Sequence, residues 1–385
     1  MIESFLQSCP YSNRISLSSS TITFLNKTID TIRNIAVPES PSLERTEIRE
    51  DMLKLIPEVL QRGLTNTPMM KFSFLIGNLP VHVFMYDMHL RDWHHTFGLI
   101  YKWFSFIVPH CPSVCLQPLN IYLFLLKDKK KLPKKGDTID VIHANTAFTY
   151  GCDSQPIVNG GGGGGDGGGG RSSITIFRKE EWFKVLMHET FHVLGLDFST
   201  MPTDFSNGRL REMFKGLDET CDYRIYESYC EISAEILNVL FFVVLRPFSS
   251  LKQQTEMLKQ ALSIETTFSL FQWAKILDFY GMDYQGLIEG QHHYTEKTSV
   301  ISYYALKSVG LFFVDDFIQT FWFQKSNLFL FEKTPAAIRR YCLFFEERYT
   351  RKNYIAALRE RLKGTGSGAT PELKNTLRMT LLDCI

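Results

Sequence analysis

Residues 182–195 read WFKVLMHETFHVLG, and this stretch places His188 and His192 four positions apart. Uncharged residues flank the two histidines directly, which is typical of a buried helix. On an α-helix, side chains at positions i and i+4 project from the same face, so both imidazoles can bind one metal ion. Glu189 follows the first histidine, where it can act as a general base. The stretch therefore predicts a catalytic site for one Zn²⁺ on a buried helix.

A catalytic zinc ion needs a third protein ligand beside an open position. The extended pattern HExxHxxGxxH supplies a third histidine after a chain-turning glycine. This chain keeps the glycine as Gly195, but Phe198 occupies the third-ligand position, and Asp197 lies one residue short of it. The sequence is therefore a poor match to the metzincin pattern.

A second stretch with helical periodicity, Tyr226–Asn238, offers three carboxylates instead. Glu227, Glu231 and Glu235 follow one another at four-residue intervals, so they lie on or near one helix face. We favour Glu231 as the third ligand because Ala234, three positions later, is small enough to let two helices approach closely. Glu227 and Glu235 are the alternatives.

Together, these motifs resemble those of the gluzincin zinc metallopeptidases, which pair HExxH with a glutamate from a later helix. The resemblance implies that His188, His192 and Glu231 bind Zn²⁺, and that Glu189 is the general base in peptide hydrolysis. In a narrower sense, residues 145–152, 182–192, 230–235 and 298–307 are similar to an uncharacterised zinc-peptidase family of large nucleocytoplasmic DNA viruses. That similarity covers roughly residues 70–345 and implies a viral protein, without indicating its substrate.

A short run before the motif, Ser172–Phe177, alternates as a β-strand does. We expect it to be an edge strand beside the active site, where Ile174 and Ile176 contact an extended peptide substrate. Asn145 is a further candidate for substrate binding, although capping a strand end would explain it equally well.

A hydrogen-bond donor to the transition state is also expected near the metal. Tyr304 is our candidate for this catalytic role. Tyr303, His292 and His293 remain alternatives.

The expected fold class is α+β and zincin-like, with a small mixed sheet, an edge strand before the HExxH helix and a mainly helical C-terminal half. We expect residues 1–66 to form a helical N-terminal extension and residues 67–345 the metallopeptidase domain. Within that domain, residues 67–200 hold the sheet and the active-site helix, and residues 201–345 form a helical subdomain. Residues 346–385 are expected to form a C-terminal helical tail.

Composition narrows the expected partners. The formal net charge is +1, which gives no reason to expect nucleic acid or a membrane surface as a partner. The chain has no signal-like start and no apolar run of membrane-spanning length, so we expect a cytoplasmic protein, in the host cytoplasm or the virion if it is viral. The tract Gly160–Gly170 lacks the ending of a phosphate-binding loop and is expected to be a mobile loop.

Two classes of function are compatible with these features. The first is a zinc metallopeptidase that acts on a peptide or protein substrate. The second is a structural or interaction protein, for example a virion component, that retains the scaffold without catalysis. Hydrolysis of a non-peptide amide is also compatible with the motif. Glu189 favours the enzyme, because a purely structural zinc site needs no base.

Overall fold

The computed structural model describes residues 5, 15–48, 50–53, 56–61, 64, 68–86, 93–151, 156–157, 172–323, 327–364 and 370–384. The glycine tract Gly160–Gly170 lies outside these residues. The expectation that it is a mobile loop therefore stays a prediction.

A mixed β-sheet carries the site-bearing helix on one side. Within the described residues it has seven strands, in the order β1-β2-β3-β4-β7-β5-β6. The strands are β1 (Glu44–Thr46), β2 (Met69–Ile76), β3 (Leu79–Tyr86), β4 (Leu119–Leu126), β5 (Ala147–Tyr150), β6 (Pro156–Ile157) and β7 (Ser172–Arg178). Pairing is antiparallel for β1-β2, β2-β3, β5-β7 and β5-β6, and parallel for β3-β4 and β4-β7.

Helices make up most of the rest of the described chain. They are α1 (Ser19–Arg33), α2 (Glu50–Leu53), α3 (Glu58–Gln61), α4 (Trp93–Ile107), α5 (Val141–Ala144), α6 (Trp182–Val193), α7 (Asp204–Met213), α8 (Tyr226–Val244), α9 (Leu251–Phe279), α10 (Tyr284–Glu289), α11 (Lys307–Phe312), α12 (Val314–Phe321), α13 (Pro335–Glu346), α14 (Lys352–Gly364) and α15 (Pro371–Asn375). A π-helical turn, Ile301–Leu306, leads directly into α11, and two 3₁₀ turns, Val108–His110 and Ser113–Cys115, follow α4.

The expectation of an α+β fold with a mixed sheet is confirmed at this level. The expected edge strand is wrong, because β7 lies inside the sheet. Ile174 pairs with Ile121 of β4 on one side and with Thr149 of β5 on the other. All seven residues of β7 are buried. Alternation in a sequence reports on the faces of a strand and not on how many of its edges are paired, so the sequence could not show this.

The core lies between the sheet and the helices and is closed around α6 and α8. Every residue of these two helices is buried. One continuous hydrophobic core includes residues from Leu17 to Cys384.

The predicted domain boundaries stay predictions. Among the described residues, no helix combines the length and the hydrophobicity needed to cross a membrane.

Candidate metal centre

The motif helix α6 ends in a turn that brings a carboxylate back to it. Gly195 adopts φ +64°, a left-handed conformation that favours glycine, and the N–H of Leu196 donates to the carbonyl of Phe191 at 2.8 Å. The chain then reverses, so that Oδ2 of Asp197 lies 2.5 Å from Nδ1 of His192. The glycine of the motif thus positions a partner for the second histidine.

His188, His192 and Glu227 form a compact group that could hold a metal ion. The Nε2 atoms of the two histidines are 3.2 Å apart. Oε2 of Glu227 lies 3.1 Å from Nε2 of His188 and 3.3 Å from Nε2 of His192. The exposed fraction of each residue is 5% or less. Three ligand atoms of the kinds that zinc prefers therefore face one point inside the protein.

The spacing of these three atoms fits a tetrahedral ion. Two ligands about 2.0–2.1 Å from a tetrahedral zinc ion lie about 3.3 Å apart, close to the observed separations. In addition, Oε1 of Glu227 is buried and has no hydrogen-bond partner among the described residues. An unpartnered buried carboxylate oxygen is costly, and a cation beside it would remove the cost. The residues present therefore fit a bound metal ion.

Glu231, the predicted third ligand, has a different place. Its Oε2 lies 3.0 Å from Nδ1 of His188, the ring nitrogen on the other side from Glu227. Oε1 of Glu231 accepts hydrogen bonds from Lys184 and Lys307. Glu227 and not Glu231 thus belongs to the group that could hold a metal ion, and Glu227 is an alternative that the sequence had left open. Glu231 instead contacts Nδ1 of the first histidine, which is the place of carboxylates that orient metal-binding histidines.

The second histidine has a matching arrangement on its Nδ1 side. Asp197 contacts Nδ1 of His192, and the thiol of Cys230 lies 3.6 Å from Oδ2 of Asp197. Ser199 donates to the other oxygen of Asp197 at 3.0 Å. His192, Asp197 and Cys230 also form a group that could hold a metal ion. We assign them to the orientation of His192, because its Nε2 faces His188 and Glu227.

Burial and neighbouring charges shift the pKa values of these groups in opposite directions. Burial lowers the pKa of His188, but hydrogen bonds to Glu227 and Glu231 outweigh burial and raise it above its ordinary value. Burial by itself would raise the pKa of Glu227, but the two neighbouring histidines lower that pKa below its ordinary value. In the absence of a metal ion, the site therefore favours a proton on its histidines. A metal ion would bind in competition with that proton.

Glu189, the predicted general base, points from α6 toward the sheet. Its Oε2 accepts a hydrogen bond from the hydroxyl of Thr149 in β5. The side chain is buried but lines a cavity beside the metal-binding group. The cavity walls include Asn145, Ala147, His188, Glu189, Tyr303 and Met379. A carboxylate beside the ligands and facing a cavity has the place that a base requires.

Of the four candidates for the hydrogen-bond donor, Tyr303 is the one at the cavity. Its side chain lines the cavity, and its ring centroid lies 5.9 Å from that of His188. The prediction of Tyr304 is wrong, because its hydroxyl donates to the carbonyl of Leu377 at 2.6 Å. His292 pairs with Asp283, and His293 is 72% exposed and pairs with Asp218. The two tyrosines are consecutive in the π-helical turn Ile301–Leu306, so their side chains leave it in different directions, and that of Tyr303 lines the cavity.

The predicted substrate-binding residues have mixed outcomes. Ile174 and Ile176 are fully buried in the core, and both edges of their strand are paired, so neither can bind a peptide. Asn145 lines the cavity, and its Oδ1 accepts a hydrogen bond from Thr298 at 2.9 Å. Its role toward a substrate stays a prediction.

Sequence reasoning missed Thr149, Lys184 and Lys307. Thr149 lies in a strand far from the motif in sequence, and its stretch 145–152 carried only the family similarity, which gave Thr149 no role. A signal existed for the lysines, because each stands in an apolar stretch, where a lysine needs a buried partner. That signal indicates a partner without saying which carboxylate it is.

Comparison with known proteins adds no relative: the chain matches no protein-family model, no characterised protein and no solved structure.

Proposed function

We propose that this protein is a zinc-dependent metallopeptidase with a zincin-like active site. In this proposal His188, His192 and Glu227 bind one Zn²⁺, and Glu189 is the general base. The observation that carries it is a separate carboxylate, Glu189, at a cavity that is also lined by His188 of the three-ligand group. A structural zinc site usually has four protein ligands and no free base, whereas this arrangement leaves a position for a reactant.

The roles of the residues follow from their positions. Zinc, when bound, polarises a carbonyl group and promotes the ionisation of water. Glu189 takes a proton from the water molecule that attacks the peptide carbonyl carbon. It then gives that proton to the nitrogen as the C–N bond breaks, which releases an amine and a carboxylic acid. The hydroxyl of Thr149 holds Glu189 in place, and the hydroxyl of Tyr303 donates to the oxygen that gains charge.

An extended substrate would lie along β5. Among the described residues, β6 pairs only with Thr149 and Tyr150, so no described strand covers the outer edge of β5 at Ala147 and Phe148. Main-chain groups at an open strand edge can bind an extended peptide. Ala147 also lines the cavity that contains Glu189. We therefore replace β7 with β5 as the proposed substrate-binding strand.

The decisive experiment compares zinc content with peptide turnover in the Glu189→Gln variant. We expect this variant to keep stoichiometric zinc and to lose cleavage of a peptide library, as read by mass spectrometry. Glu212→Gln makes the same change at an exposed glutamate in α7 and should behave as the wild type. His192→Ala should lose the metal. Wild-type turnover by Glu189→Gln would refute the peptidase proposal and favour a structural role for the zinc site.

A further inference from the structure

Residues 376–384, here called the docked segment, follow α15 and run through the interior beside the metal centre. The exposed fractions of Leu377 and Thr380 are 0%. Met379 lines the same cavity as His188 and Glu189. The segment supplies none of the three candidate ligands. Its position next to them therefore calls for another explanation.

The body of the protein holds the docked segment by its main chain. Glu181 accepts hydrogen bonds from two successive N–H groups, those of Met379 and Thr380. Glu265 accepts from the next two, those of Leu381 and Leu382. Carbonyl groups of the segment accept hydrogen bonds from Asn238, Gln272, Lys275, Tyr304 and Lys307. Because these side chains are buried, the segment is a partner on which their hydrogen bonding depends.

Lys307 joins the docked segment to the metal centre. Its ammonium group has three N–H donors and three acceptors. The acceptors are Oε1 of Glu231 at 3.0 Å, Oε2 of Glu235 at 2.6 Å and the main-chain carbonyl of Met379. The exposed fraction of Lys307 is 2%. Its position is therefore fixed by two carboxylates and by the segment.

Glu231 connects Lys307 to His188, one of the candidate metal ligands. Lys184 and Lys307 both donate to Oε1, which leaves Oε2 to contact Nδ1 of His188. The sulfur of Met379 lies 4.0 Å from the ammonium of Lys184, so the segment also packs against the second lysine. An imidazole held through Nδ1 presents the lone pair of Nε2 to a metal ion.

Each lysine of this cluster has a carboxylate partner. Lys184 and Lys307 pair with Glu231, Lys307 also pairs with Glu235, and all four are almost fully buried. A buried ion cluster is tolerated when its members are paired, and it becomes strongly destabilising when one partner is removed. Loss of one lysine would therefore disturb the carboxylate that contacts His188.

We propose that Lys307 is a positioning residue for the metal centre and that residues 376–384 act through it, so that docking of this segment and metal binding strengthen each other. The inference rests on the proposed function only in taking His188, His192 and Glu227 to be metal ligands. Coupling of this kind is reciprocal: if the segment tightens metal binding, the metal tightens binding of the segment by the same factor.

The first test measures zinc affinity of the full-length protein by competition with a chelator, which requires no catalytic activity. Lys307→Met should weaken zinc binding roughly 10- to 100-fold, the range for outer partners of metal ligands. Lys307→Arg keeps a cation and should bind zinc more tightly than Lys307→Met. Lys102→Met is the matched control, because Lys102 donates to the main-chain carbonyls of Ile32, Arg33 and Ile35. Its zinc affinity should equal that of the wild type.

The outcomes separate this inference from the proposed function. Unaltered zinc affinity of Lys307→Met, with zinc bound by the wild type, would overturn the role of Lys307 alone. A wild-type protein that binds no zinc would overturn the proposed function as well.

The second test examines the docked segment itself. It tests the coupling between the segment and metal binding even if Lys307→Met fails to fold. A protease site is inserted between residues 364 and 370 of the full chain and is cut after the protein has folded with zinc. The fragment that contains the docked segment should stay bound in zinc and dissociate when a chelator removes the metal, as read by size-exclusion chromatography. Equal retention with and without zinc would overturn the coupling. Release of the fragment with full zinc retention and higher peptide turnover would instead identify a blocking segment.

Discussion

Nδ1 of His188 lies 3.0 Å from Oε2 of Glu231, while Nε2 of the same ring lies 3.1 Å from Oε2 of Glu227. One imidazole thus spans one turn of α8, whose rise is about 5.4 Å. The two contacts place Glu227 at the ring nitrogen that faces the candidate metal position and Glu231 at the opposite ring nitrogen. The distinction can be tested directly.

Amide substitutions should separate the two glutamates. Glu227→Gln should lose stoichiometric zinc, because an amide is a far weaker ligand than a carboxylate. Glu231→Gln should keep the ion but bind it roughly 10- to 100-fold more weakly. Metal analysis after dialysis and chelator competition measure both effects. The reverse order of effects would restore Glu231 as the ligand.

Substitutions of the two adjacent tyrosines should affect different properties, kcat for Tyr303 and stability for Tyr304. Tyr303→Phe should lower kcat roughly 10²- to 10³-fold with little change in KM, which is typical of losing a transition-state donor. Tyr304→Phe removes the hydrogen bond to Leu377. It should lower the free energy of unfolding by about 1 kcal/mol and leave kcat unchanged at saturating zinc. Steady-state kinetics and urea unfolding measure these effects, and equal kcat losses in both variants would contradict the assignment.

Thr149 should affect catalysis without affecting metal binding. Thr149→Val keeps the shape of the side chain and removes the hydroxyl that donates to Glu189. A hydrogen bond to a charged group is worth about 1.5–3 kcal/mol, so kcat should fall roughly 10- to 100-fold. Thr175→Val is the control, since the buried hydroxyl of Thr175 in the neighbouring strand has no partner among the described residues. If both variants turn over peptide at the wild-type rate, Thr149 does not hold the base.

Glu265 should make stability depend on pH. Burial, with the nearby charge of Glu235, raises the pKa of Glu265 to about 8. The folded state then binds more protons than the unfolded state between the ordinary glutamate pKa of about 4.3 and about 8. The contribution of Glu265 is therefore fully present below that window and is lost as pH rises through it. One proton gives a slope of up to about 1.4 kcal/mol per pH unit.

Urea unfolding of the wild type and of Glu265→Gln from pH 5 to 8.5 measures this slope. The wild type should lose stability across the window more steeply than the variant. Glu256→Gln, at an exposed glutamate of the same helix, should follow the wild type. Parallel curves for the wild type and Glu265→Gln would contradict the expected shift.

The sequence went furthest where chemistry depends on local spacing. Two histidines four positions apart on a helix lie on one face whatever the rest of the chain does, so His188 and His192 were identifiable as a pair. The carboxylate beside them, Glu189, was identifiable for the same reason. The coarse fold class also followed, because strand-like and helix-like periodicities dominate different parts of the chain.

Tertiary packing decided the remaining features of the site. Glu227 and Glu231 share a face of α8, and only the offset between α8 and α6 determines which of them meets Nε2 of His188. Whether β7 is an edge depends on β5, a strand that pairs from the other side. The contact between Met379 and Lys307 joins residues 72 positions apart. Local sequence fixes which side chains share a face, whereas the relative placement of packed elements fixes which atoms meet.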